Sequence, residues 1–290
     1  FNQPVGRSRM KTALVTDSTC DIPRDLVAAH QIHVVPNILI IDGKSFEDDE
    51  NYSRRDFYLQ LPEMVSFPTT STASIGTYQA LYEQILAGGY DQVLSIHCSK
   101  ELSGIFNAAS TAANALQGKV VVEDSRQLSL GLGFQVLEAA GAISGGASLD
   151  SVLDHLNTAR KRIRVVAMLD TLEFIHRSGR VSWARARLGG MLKMKPFLDV
   201  IDGNVFSMGQ VRTRRKGISR LLELMQNPTP MKRFAVLHTN AEQDAHEILE
   251  QFAPDIPTEP LVVNVTTAIG AHVGPQGLGF AALYQDEPTL

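Results

Sequence analysis

Val93-Leu94-Ser95-Ile96-His97, then Leu102-Ser103-Gly104, the proline-free run Ile105 to Leu116, Gly118, and Val120-Val121-Val122-Glu123 read in order as strand, helix start, helix, stop and strand. Both strand runs are nearly continuous in apolar residues, which suits a sheet covered on both faces, and such sheets are parallel. A parallel pair needs a crossover, and the intervening helix supplies one. The same alternation extends upstream. Ala13 to Thr16 and Val34 to Ile41 read as strands, and helix starts are marked by Asp21 before Pro23, by Ser53 with Asp56 three residues on, and by Ser74 before Tyr78 to Leu86. Gly88-Gly89 closes the last of these. Loops at the carboxyl ends of such strands form the binding edge, which places Asp17-Ser18, His97-Cys98-Ser99 and Asp124-Ser125 there.

Downstream the pattern changes. After a helical stretch from Leu130 to Leu156 and a strand at Arg164 to Leu169, Val200-Ile201-Asp202-Gly203-Asn204-Val205-Phe206 reads as a hairpin on Asp-Gly, a signal of antiparallel pairing. Phe234 to His238 and Leu261 to Val265 add strands, with helices at Gly217 to Met225 and Ala241 to Phe252. The expected architecture is α/β in two domains: residues 10–163 around a parallel βαβ sheet, residues 164–290 around a mixed or antiparallel one. A length of 290 residues agrees with two cores. Residues 1–9 precede Met10 and are read as a remnant outside the fold, with Met10 as the native start.

Composition narrows the function classes. The chain is 44% hydrophobic and 20% charged, without an apolar run near the ~18 residues of a membrane span. The absence of a secretory h-region and the presence of only two cysteines, Cys20 and Cys98, predict a reducing, cytoplasmic setting. The net charge of -4 conceals a basic stretch from Arg160 to Arg220, with 15 Lys/Arg against 4 Asp/Glu. An acidic total and few aromatics among these arginines argue against nucleic acid. No C-x-x-C, H-E-x-x-H or acidic calcium loop occurs, so no metal is expected. There is no Walker lysine loop, and Gly131-Leu132-Gly133 lacks the third glycine of a dinucleotide turn; that pair is read as permitting close helix packing.

Two hydroxyl clusters, Thr70-Ser71-Thr72-Ala73-Ser74 and Leu102-Ser103-Gly104, each precede a predicted helix. A helix start leaves backbone N–H groups without partners and carries partial positive charge, so the pair suits a carboxylate or phosphate. Gly270-Ala271-His272-Val273-Gly274-Pro275, read as a loop, brings an imidazole to the same chemistry. Ser103 is open to three readings: helix cap, ligand donor, or nucleophile of a lipid esterase or acyltransferase with His272 as base. Lys100-Glu101-Leu102-Ser103-Gly104 lacks the leading glycine of a nucleophile elbow. His97 and His176 read as structural.

Taken together, Val15-Thr16-Asp17-Ser18-Thr19, Thr70-Ser71, Leu102-Ser103-Gly104, Asp124-Ser125, Arg177-Ser178-Gly179-Arg180-Val181-Ser182, Lys195-Pro196, Asp202-Gly203, Arg212-Thr213-Arg214 and His272-Val273-Gly274-Pro275 resemble the DegV family of bacterial two-domain proteins. The resemblance runs from Met10 nearly to the C-terminus. It implies a long-chain fatty acid in a tunnel between the domains, its carboxylate held at Thr70, Ser71, Ser103, Gly104 and His272, with no further cofactor. It also implies a carrier rather than an enzyme: a partner fatty acid kinase uses ATP to phosphorylate the bound carboxylate, feeding phospholipid synthesis. Arg177, Arg180, Arg212 and Arg214 are then candidates for a partner-facing or phosphate-facing surface, with at most transient membrane contact. A lipid sensor without a kinase is a further reading. The chain departs from the family pattern at Thr72-Ala73, where Gln-Pro is common, at Ser178-Gly179, and at Gln276, where a glycine is common.

Overall fold

A computed structural model describes residues 10–49, 51–180, 194–253 and 256–288. The remnant assigned to residues 1–9, and Val181-Ser182 of the arginine motif, lie outside the described residues.

The chain opens with β1 (Thr12–Asp17), α1 (Arg24–Ala29) and β2 (His33–Val35). Next come β3 (Ile38–Ile41), β4 (Lys44–Glu47), α2 (Arg54–Gln60) and β5 (Thr69–Ser71). Then follow α3 (Ile75–Ala87), β6 (Gln92–His97), α4 (Ile105–Ala113) and β7 (Val120–Asp124). The first sheet has the order β2-β1-β6-β7 and is parallel throughout. Strands β4, β3 and β5 form a separate antiparallel sheet. The single strand expected over Val34 to Ile41 is therefore two strands in two sheets. Pro36 lacks an N–H for the ladder and breaks the run between them.

Leu130 to Leu156 becomes two helices, α5 (Leu130–Ser144) and α6 (Leu149–Lys161), split at Gly145-Gly146 and restarted by Ser148, whose Oγ accepts from Ser151 N. Helix α5 is the buried spine: a Cβ on Gly131 would collide with Val165, and one on Gly133 with the Cys20 carbonyl. Close packing is what this glycine pair permits.

The remaining elements are β8 (Ile163–Met168), α7 (Glu173–Arg177), β9 (Lys195–Ile201), β10 (Asn204–Val211), α8 (Arg214–Met225), β11 (Met231–His238), α9 (Glu242–Phe252), β12 (Leu261–Asn264), α10 (Thr267–Val273) and β13 (Leu278–Tyr284). The six-stranded sheet runs β10-β9-β8-β13-β11-β12, antiparallel except for the parallel pair β11/β12. The Asp-Gly hairpin is β9–β10. A buried apolar cluster runs from Val15 and Ile96 of the first sheet through Leu132 of α5 to Val165, Leu237 and Leu283 of the last sheet, so the two sheets share a packed core.

Two details around the hydroxyl and imidazole segments differ from the sequence reading, while the expected helix start at Ser74 holds. Residues 267–273 form a helix rather than a loop, so His272 is helical. Gly274, with φ +77°, ends that helix ahead of Pro275. Thr69–Ser71 form an edge strand, so Thr70 precedes its helix by a short loop and Ser74 is the cap, its Oγ accepting from Thr77 N at 3.0 Å.

Candidate functional site

Between the two main sheets lies a cavity of about 330 Å³, within the usual range for a small-molecule site. Its polar lining comes from the segments singled out in the sequence: Thr70, Ser71, Ser103, Gly104 and His272. Thr72 and Arg180 join them. The apolar lining includes Ile105 and Leu128 from the first half, Leu198, Val200 and Val205 from the hairpin, and Ile269 from α10. A smaller apolar cavity of about 70 Å³ shares the walls Leu128, Val165, Ala167, Leu169, Ile269 and Val273. The apolar space thus continues past the main chamber toward β11 and β13.

The polar groups converge. His272 Nε2 lies 2.9 Å from Thr70 Oγ1, joining α10 to the edge strand β5. Thr72 Cγ2 would lie 3.9 Å from a Cβ on Gly104, so the two hydroxyl segments are adjacent. Ser103 Oγ accepts a long hydrogen bond from Ile105 N, 3.4 Å, while Gly104 occupies the cap position of α4. Ser103 therefore sits one residue before the cap of α4 and lines the cavity. The imidazole is paired with the Thr70 hydroxyl.

Burial, reinforced by the positive charge of Arg180, pushes the His272 pKa down to about 4. The ring is neutral at pH 7 and offers one donor and one acceptor. Of the four arginines expected at a functional surface, only Arg180 lines this cavity. Arg177 stacks on Phe67, 4.5 Å from the ring centroid, and donates to the Met64 carbonyl at 3.2 Å. Arg214 donates to the Gln276 carbonyl at 2.7 Å and to Asp244 at 2.6 Å, and Arg212 is exposed.

The hairpin reaches the cavity because its turn is tied to the first sheet. Ser99 Oγ donates to the Gly203 carbonyl at 2.8 Å, Gln127 Nε2 to the Val200 carbonyl at 3.1 Å, and Arg126 pairs with Asp202 at 2.6 Å. Gly203 has φ +82°, and a Cβ there would press on Ser99 Oγ. Gln276 has φ +64°, the left-handed region that glycine enters freely, and Gln276 Nε2 donates to the Asn240 carbonyl at 2.7 Å.

Thr19, named only as part of the first family motif, and Asn37, not singled out in the sequence, also line the cavity. A third group is deeper. Asp48 is buried and accepts hydrogen bonds from Ser18, Thr266 and Thr267. Its neighbour Asp21, raised to about 6 by burial in spite of Arg54, accepts from Thr266 N at 2.8 Å. Nothing local in Phe46-Glu47-Asp48-Asp49 announces such a partner more than 200 residues away. His97, read as structural, is sealed in β6 between Asp17 and Ser95.

No group of three or more His, Cys, Asp or Glu able to hold a metal occurs among the described residues, and none of their helices is long and apolar enough to cross a membrane.

A parallel sheet and a mixed sheet enclosing an apolar chamber with a hydroxyl and imidazole end define a class of α/β small-molecule binders. A model of the DegV family of uncharacterised proteins matches residues 11–285. Protein DegV of Bacillus subtilis is 35% identical over 277 residues, covering 93% of this chain and 98% of its own. The crystal structure of DegV, a fatty acid binding protein from Bacillus subtilis, superposes with a TM-score of 0.84 at 34% identity, over 95% of this chain and all of that one. A structure of a DegV family protein from Thermus thermophilus, described for its fatty acid binding, gives a TM-score of 0.86 at 33% identity, with coverage of 95% and 100%. The chain belongs to the DegV family.

Proposed function

We propose that the protein binds a long-chain fatty acid in the cavity between its sheets and carries it, without acting on it, to a fatty acid kinase. The observation that carries this reading is the composition of one chamber: apolar walls from both sheets, with Thr70, Ser103 and His272 gathered on it. Support also comes from relatives of 33 and 34% identity that are described as fatty acid binders. The tail supplies affinity, at about 0.8 kcal/mol per buried methylene before ordering costs. A buried carboxylate needs donors, and in this reading the hydroxyls of Thr70, Ser71 and Ser103, the N–H at Gly104 and the His272 ring provide them, with Arg180 as the nearby cation.

The kinase step is the finer part of the proposal. A partner transfers the γ-phosphoryl group of ATP to a carboxylate oxygen, breaking the β–γ phosphoanhydride bond and leaving ADP, and the acyl phosphate is released for phospholipid synthesis in the cytoplasm, with Arg212 on the docking face and Arg177 and Arg214 beside it. Phosphoryl transfer depends on positioning and charge neutralisation, which a fixed carboxylate beside a cation offers. In this reading no ATP site belongs to this chain.

Mass spectrometry of an organic extract of the purified protein tests the ligand. A near-stoichiometric long-chain fatty acid is expected; an empty protein that cleaves activated acyl esters, with the activity lost in Ser103→Ala, would establish the esterase reading instead. Incubation of the loaded protein with a fatty acid kinase and labelled ATP tests the carrier role, with acyl phosphate formation lost on reversing the charge of Arg212 while the lipid stays bound.

A further inference from the structure

The helix that carries His272 is short, seven residues, and its placement is imposed from the other half of the chain. Four hydrogen bonds converge on the buried carboxylate of Asp48. Ser18 Oγ donates at 2.6 Å, Thr267 Oγ1 at 2.6 Å and Thr267 N at 3.2 Å, and Thr266 Oγ1 donates as well. Carboxylates accept such bonds strongly, more so out of water. Thr267 is the first residue of α10 and His272 is five residues on, about 7.5 Å along the axis at 1.5 Å per residue.

The rest of the helix has little freedom to compensate. Gly270 packs so closely on Tyr58 that a Cβ would overlap the phenol ring, and Gly274 lies on Phe174 in the same way. Tyr58 itself donates to the Val265 carbonyl at 2.8 Å. The same Asp48 also reaches the cavity by a second path. Ser18 Oγ, with its hydrogen directed at Asp48, accepts from Asn37 N at 3.1 Å and Asn37 Nδ2 at 3.0 Å, and Asn37 lines the cavity. Asp48 does not line it.

We propose that Asp48 is the positioning residue of the head-group site: by fixing the first turn of α10 it sets the His272 ring against Thr70, so recognition of the ligand's carboxylate depends on a carboxylate that never touches the ligand. This rests on the reading of His272 as part of the fatty acid head-group site.

The test separates head group from tail. Displacement of a bound fluorescent fatty acid by hexadecanoic acid and by hexadecanol, which shares the tail and lacks the charge, gives two affinities for each variant. Asp48→Asn keeps the shape and loses the charge. It is expected to weaken the acid by roughly tenfold or more, the loss of a hydrogen bond to a charged group, and to leave the alcohol within about twofold. His272→Ala should show the same selective loss, and the double variant should lose no more than the larger single one, because both act through one ring.

Equal weakening of acid and alcohol by Asp48→Asn would reduce Asp48 to a structural role and overturn the inference. A selective loss that adds fully to that of His272→Ala would equally overturn it. If His272→Ala leaves the acid-to-alcohol ratio unchanged, the head-group reading itself is what fails. Thr267→Val removes one hydroxyl donor to Asp48 and keeps the backbone N–H; it serves where Asp48→Asn does not fold, with a smaller selective loss of about threefold expected.

Discussion

His97 and His272 are both buried imidazoles hydrogen-bonded to a hydroxyl, yet the fold surrounds them with opposite charge. His97 is wholly enclosed, with Nδ1 donating to Asp17 at 2.9 Å and Nε2 2.7 Å from Ser95 Oγ, which is in turn 2.8 Å from the Tyr82 hydroxyl. The spacing is that of a hydrolase triad, and its enclosure excludes any substrate. Burial alone would raise the Asp17 carboxyl, but bonds from His97, Thr19 and Cys98 N hold it below the ordinary value, so it is ionised. His272 has Thr70 on Nε2, the cavity beside it, and the positive charge of Arg180. One site contains its own anion. The other has a cation beside an open cavity, and in the proposed reading that contrast separates a folding element from a binding one.

The largest effect expected from breaking this contrast is on stability. Asp17→Ala strands His97, Thr19 Oγ1 and Cys98 N in a dry interior, and removing one partner of such a buried pair costs on the order of 3–5 kcal/mol. Urea unfolding should register that loss, while the fraction that remains folded should still extract with its usual lipid. A loss of lipid without a loss of stability would mean that the Asp17–His97 site, and not His272, serves the ligand.

The next effect is a pH dependence. His272 has a folded pKa of about 4 against 6.5 when unfolded, so between these values the unfolded chain binds more protons and stability falls as pH falls. The full span is on the order of 3 kcal/mol. His238, also lowered to about 4 by burial, adds the same sign, and Asp21, raised to about 6, the opposite sign between 3.8 and 6. Comparing His272→Gln with the parent cancels both. The variant should lose less stability than the parent between pH 7 and pH 4.5, and parallel profiles would remove the buried neutral ring from the account.

How much of this the sequence reveals depends on whether the cause is local. The βαβ alternation and the Asp-Gly hairpin are legible because apolar patterning and turn chemistry act over a few residues, and the hydroxyls at Thr70, Ser71 and Ser103 stand out by lying just ahead of patterned helices, although none of the three is the cap. Strand β13 is not. Leu278-Gly279-Phe280-Ala281-Ala282-Leu283-Tyr284 has weak strand propensity, and it is a strand because it lies between β8 and β11, where a Cβ on Gly279 would strike the Val166 carbonyl. The helix at Thr267–Val273 is hidden for a similar reason: two glycines in eight residues argue against it, and the groups that hold it, Asp48 and Tyr58, are more than 200 positions away. The four arginines, from two motifs, are expected from the sequence to share one surface, but Arg180 lines the cavity while Arg177 and Arg214 are engaged elsewhere.

Within the head-group site the hydroxyl and the cation should differ in size. Ser103→Ala removes a hydrogen bond to a charged group and should weaken hexadecanoic acid by about 1.5–3 kcal/mol, with hexadecanol unaffected. Equal losses for both ligands would assign Ser103 to the walls of the cavity.

The smallest effect is also the sharpest probe of the comparison. Arg180→Gln removes the positive charge that, after burial, contributes to the low pKa of His272. In the ligand-free protein the ring should therefore become easier to protonate, and its titration followed by NMR should move upward. In the complex the same change deprives the carboxylate of a cation, so affinity for the acid should fall, by less than the loss from Ser103 if the contact is partly solvated. These two signs are opposed only if Arg180, His272 and the carboxylate share one small volume. A ring that titrates more easily and an acid that binds as before would place the ligand's charge elsewhere. An unmoved ring would mean that burial alone sets His272 apart from His97, and that the difference between the two histidines lies in solvent rather than in charge.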